Sequence, residues 1–138
     1  MSDGTTLTIL LMDAPFEASR TATAMRLIDL ALDRGVGVNV FAYEGAVCLP
    51  LAAQAAHPNA VHGRDAVEED HPLPREWIAA LMAKAAQRGL RFDWVNCGLC
   101  VDERGAAPAI DGVRRGTPAD FWAMAEASVS TLIIPTPC

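Results

Sequence analysis

Leu7 to Met12, "LTILLM", is an unbroken apolar run of strand length, the pattern of a strand buried on both faces of a parallel sheet. The spacing then changes to that of a helix. From Ser19 to Arg34, Ala24, Leu27, Ile28, Ala31 and Leu32 fall on one face, and Gly35 stops the run. Val38 to Tyr43, "VNVFAY", predicts a second strand, and together the three segments form a βαβ unit. Gly45 to Ala56 is Ala-rich and predicts a short helix. Residues 57–73 hold all three histidines and a charge cluster, the composition of a surface loop. Pro74 opens the next helix at the position where a missing N–H costs nothing, with Trp77, Leu81 and Ala85 on one face and Gly89 at its end. Leu90 to Asn96 predicts a third strand, residues 97–104 about two helical turns, and Gly105 their stop. "AAPAIDGVRRG" has the composition of a loop. Thr117, Pro118 and Asp120 start a helix that runs to Ser128, and Thr131 to Ile134 predicts a last strand.

Alternating strands and helices without repeats predict one α/β domain over residues 1–138. The expected architecture is a mainly parallel sheet flanked by helices in a three-layer, Rossmann- or flavodoxin-like arrangement. A chain of 138 residues that is 51% hydrophobic can bury a real core without disulfides. Eleven basic residues against 17 acidic ones leave a net charge of -6, which disfavours a nucleic-acid backbone as partner. No apolar stretch reaches the ~20 residues of a membrane span, and the N-terminal stretch has no basic leader. The expected compartment is the cytoplasm, where thiols stay reduced.

That matters for Cys48, Cys97, Cys100 and Cys138. In "DWVNCGLCVDERG", Cys97 falls where a strand ends and a helix begins, the usual place for a site in an α/β sheet. Helix-terminal N–H groups there favour the thiolate, the reactive form of cysteine. On a helix, Cys97, Cys100, Val101 and Arg104 share a face, so Arg104 is the expected cation for either sulfur. Asp102 and Glu103 are expected to point away. The pair also fits two small buried side chains, a redox dithiol or half of a zinc site. His57, His62 and His71 show no paired spacing, so no metal is expected. The first loop, "DAPFEASRT", contains no glycine for a phosphate cradle, and "GVRRG" follows no predicted strand. Neither a nucleotide nor any other cofactor is expected. Asp13, Glu17 and Glu44 stand at predicted strand ends, as candidate pocket residues or as polar cover for the sheet. The apolar stretch "EGAVCLPLAAQAA" exceeds what one short helix buries, and an oligomer interface is expected there.

The segment from "LLMDAPFEASRTATAMRLIDLALDRG" to "VNVFAYEGAV" resembles the opening of the DsrE/DsrF/TusD-like sulfur-relay family. Tyr43, Glu44, Gly45 and Val47 match its turn after the second strand, with Ala46 as one extra residue. Cys97, followed seven and eight residues later by Arg104 and Gly105, resembles that family's single cysteine before a short helix ending in Arg-Gly. "GTPADFWAMAEASVSTLII" resembles its last helix and strand. The resemblance implies a sulfurtransferase-like protein that carries persulfide sulfur on Cys97 and exchanges it with a small, TusA-like carrier protein or a sulfur donor. It also implies a homo-oligomer, trimeric or hexameric. Cys100 stands where single-cysteine members have a small apolar residue, which keeps a Cys97/Cys100 dithiol open. Some relatives lack the cysteine, which keeps open a binding subunit without chemistry.

Overall fold

The computed structural model describes residues 4–58, 60–69 and 72–137. His71 and Cys138 lie outside them. Five strands, β1 (Thr6–Leu11), β2 (Gly37–Ala42), β3 (Phe92–Cys97), β4 (Val113–Gly116) and β5 (Ser130–Ile134), form one sheet in the order β4-β3-β2-β1-β5. Every pairing is parallel. The helices are α1 (Arg20–Asp33), α2 (Ala66–Glu69), α3 (Pro74–Gln87), α4 (Gly98–Arg104) and α5 (Pro118–Ala127). The chain steps from β1 to β4 in one direction, then returns through α5 to set β5 beside β1.

Side chains alternate between the two faces along each strand, so each inner strand feeds two cores. Ile9, Leu11, Val38, Val40, Ala42 and Trp94 join Met25, Ile28 and Leu32 of α1 and Ile78, Leu81 and Ala85 of α3 in the larger core. Phe41, Val95 and Cys97 point the other way and meet Val47, Cys100 and Met124 in a smaller one, bordered by Leu10, Tyr43 and Phe121. Three layers result, with α1 and α3 on one side of the sheet and α5 on the other.

Three segments depart from the sequence expectation. Residues 45–56 form a 3-10 turn over Glu44–Cys48 followed by turns, not a helix. Ala46, Val47 and Leu49 are fully buried within the chain's own two cores, so the apolar surface that the stretch offers a partner lies in its exposed alanines, Ala52, Ala53, Ala55 and Ala56. Gln54 holds the segment in place, donating to the Cys48 carbonyl at 2.9 Å and accepting from the Arg75 N–H at 2.9 Å. The loop at 57–73 contains a 3-10 turn, Ala60–His62, and the single-turn α2. "VRRG" is not loop but the edge strand β4, in register with β3 from Trp94↔Val113 to Cys97↔Gly116.

Candidate functional site at the end of the third strand

Cys97 is the last residue of β3 and the N-cap of α4, with extended φ and ψ of -61° and 119°. It therefore precedes the helix, and the helical face shared by Cys100, Val101 and Arg104 does not include it. Its neighbour Asn96 fixes this corner. The Asn96 amide donates to the Val47 carbonyl at 3.1 Å and accepts from the Trp94 indole at 3.1 Å, tying β3 to the turn after β2. Gly105, at φ 57°, ends α4 in the left-handed conformation, as the sequence predicts, and the Ala106 N–H closes the motif on the Val101 carbonyl.

Cys97 is 1% exposed but lines an open pocket of about 350 Å3. Its other walls are Gly98 and Leu99 from α4, Arg115 and Gly116 from β4, and Thr117 and Pro118 at the start of α5. Arg115 is the one charged residue among these. Its Nη1 and Nη2 donate to the two carboxylate oxygens of Asp102 at 3.0 Å each, and Nη2 also donates to the Gly98 carbonyl at 3.1 Å. This hydrogen-bonded guanidinium holds the Asp102 carboxyl below the usual carboxylate range. Asp102 is thus not turned away from the site's chemistry, as expected, but anchors the cation beside it.

Gly116 faces Cys97 in register across the two strands. A Cβ at Gly116 would lie 2.6 Å from Val95 Cγ1 and 2.5 Å from an Asp120 carboxylate oxygen, so any larger residue would have to push these side chains aside. That carboxylate accepts the Thr117 N–H at 2.8 Å and secures the start of α5, as predicted.

Cys100 is 6% exposed and packs in the same small core as Cys97. Its sulfur accepts the Glu44 N–H at 3.1 Å, presented by a Glu44 whose φ of 51° is left-handed. Burial pushes the Cys100 thiol up; the Glu44 N–H opposes this, Cys97 adds to it, and Arg104 opposes it only as the smallest influence. The expected role of Arg104 therefore shifts: it acts weakly on Cys100, while Arg115 is the cation at the Cys97 pocket. Asp13 is buried and paired with Arg20 at 2.9 Å, and Glu17 is exposed. Neither they nor Glu44 line this pocket. Among the described residues no cluster of three His, Cys, Asp or Glu side chains could hold a metal ion, and no helix is long and apolar enough to cross a membrane.

Arg115 and Gly116 escape a sequence reading because "GVRRG" carries no strand pattern. Its partners were the available signal: Arg114 pairs with Asp93 of β3 at 3.0 Å, as Arg115 pairs with Asp102.

A five-stranded parallel sheet with this helix arrangement defines a single α/β domain of DsrE-like fold. It is similar to the crystal structure of the ychN protein from E. coli, with a TM-score of 0.69 over 94% of this chain and 99% of that one, at 19% identity. That identity establishes likeness of fold. No family model and no curated protein matches the sequence.

Proposed function

We propose that the protein is a sulfur-relay subunit that carries persulfide sulfur on Cys97. The observation that supports this most is the pocket itself: a cysteine at a strand end opens into it, and its one charged wall is a cation. The Cys97 thiolate attacks the outer sulfur of a donor persulfide, R–S–SH. A bond forms between Cys97 Sγ and that sulfur, the donor S–S bond breaks, and its electron pair leaves on R–S⁻. An acceptor thiolate then attacks the outer sulfur of Cys97–S–SH and returns Cys97 as thiolate. No external oxidant or reductant is needed. The acceptor is a small carrier protein of the cytoplasm, and the working form is a homo-oligomer. Exposed Leu99, 68% accessible at the pocket rim, offers apolar contact to such a partner.

The packing of Cys100 with Cys97 in one small core favours a second reading, a dithiol couple in which the two sulfurs form a disulfide. Intact mass after incubation with a persulfide donor separates the two. Gain of one sulfur, lost in Cys97→Ser and mostly kept in Cys100→Ser, is the expected result. Loss of two hydrogens would replace the relay with the dithiol. No mass change with any donor would leave a binding subunit.

A further inference from the structure

Arg115 shows what the pocket is built to grip. Its guanidinium already holds a planar pair of oxygens, those of Asp102, in two parallel hydrogen bonds. Both partners are more than half exposed, at 57% and 64%, and exposed ion pairs are weakly held, so an incoming anion can displace the carboxylate. The Gly98 carbonyl keeps Nη2 in place during that exchange. No acidic residue lines the pocket, and its remaining walls are glycine, leucine, threonine and proline.

We propose that Arg115 selects a small anionic sulfane-sulfur donor, one with an oxyanion group bonded directly to the sulfur it gives up, with thiosulfate as the simplest member. This rests on the reading of Cys97 as sulfur carrier and names the donor class. The Cys97 thiolate attacks the terminal sulfur of thiosulfate. The new S–S bond forms on Cys97, the S–S bond of thiosulfate breaks, and sulfite leaves with the electron pair. A thiolate and a thiosulfate dianion become a Cys97 persulfide anion and a sulfite dianion, so charge and electrons balance. Arg115, displaced from Asp102, holds two oxygens of the departing sulfite. Arg115 is thus a specificity-determining residue.

The test compares thiosulfate with a small-molecule persulfide that carries no oxyanion group as donors to the whole protein, reading sulfur gained on Cys97 by mass against donor concentration. A parallel measurement compares alkylation of Cys97 by iodoacetate and by the uncharged iodoacetamide, which reports the charge at the thiol without any sulfur transfer. Arg115→Gln is expected to raise the thiosulfate concentration needed by about tenfold or more, as for loss of a hydrogen bond to a charged group. Loading from the persulfide donor is expected to fall much less than loading from thiosulfate, and the iodoacetate preference to fall. Arg115→Lys should restore part of both. Asp102→Asn, which removes the internal competitor, should lower the thiosulfate requirement. Equal loss with both donors in Arg115→Gln, or loading from the small-molecule persulfide or a protein persulfide but never from thiosulfate, would overturn the donor assignment and leave the Cys97 relay standing. Failure of every donor in the wild-type protein, with the iodoacetate preference intact, would overturn the relay and the donor assignment with it.

Discussion

The two faces of the sheet are built to different standards. Beneath α1 and α3 lies a core of aliphatic side chains around Trp94, with Ile9, Ile28, Leu32, Val38, Val40 and Ile78 wholly inaccessible. Beneath α4 and α5 the cluster is smaller and contains two thiols. One face closes with long helices of regular period. The other closes with helices of seven and ten residues and side chains that stay near the surface. Trp122 of α5, for instance, remains 67% exposed. The larger face supplies stability and leaves the smaller one free to hold a reactive sulfur beside an open pocket.

If that division of labour holds, damage to the larger face should cost stability without touching the thiols. Ile28→Ala should destabilise the fold by about 2–5 kcal/mol, the range for truncating a buried aliphatic side chain. Chemical denaturation would measure the loss, and iodoacetamide labelling of Cys97 in the folded protein should keep its rate. A changed rate would mean that the two faces are coupled. Gly116→Ala should do the reverse. The added methyl has to displace Val95 or the Asp120 carboxylate, at a cost of about 1–3 kcal/mol for overpacking. Because Gly116 neighbours Cys97 in register, labelling of Cys97 should change as well. A variant as stable as the wild type, with unaltered labelling, would show that the pocket wall yields freely. Cys100→Ala is expected to cost less, about 1 kcal/mol, mainly by leaving the Glu44 N–H without its sulfur acceptor. The same denaturation experiment tests this, and no loss at all would mean that water replaces the sulfur.

The same contrast governs how much was legible in the sequence. The larger face announces itself: Ala24, Ile28 and Leu32 recur at helical spacing, Trp77 and Leu81 likewise, and the strands of the sheet are mainly apolar. Cys97 was legible because a strand signal ends on it and Gly105 stops the helix that follows. Arg115 was not. A four-residue edge strand with two exposed arginines has no apolar alternation, and its identity depends on pairing with β3 and on carboxylates 13 to 21 residues earlier. The burial of residues 46–49 was hidden for a similar reason. A 3-10 turn has no period of its own, and only the position of the sheet above and below it decides that Ala46, Val47 and Leu49 are core.

The smallest effect lies between the two sulfurs. Burial raises the Cys100 thiol above its ordinary range of about 8.5. The folded state therefore holds the proton more tightly than the unfolded one. The stability this contributes is complete below about pH 8.5 and is lost as the pH climbs from there through the folded value. In Cys97→Ser the influence of the neighbouring thiol is gone but the burial remains, so Cys100 should still titrate late. Its alkylation in the folded variant should reach half its maximal rate at a higher pH than in the same chain unfolded in denaturant. The stability gap between Cys97→Ser and Cys97→Ser/Cys100→Ala should narrow over that same interval. Coincident alkylation midpoints would mean that Cys100 is as solvated as a free thiol. It would then have no reason to lag behind Cys97, and a dithiol couple would become the better account of the pair.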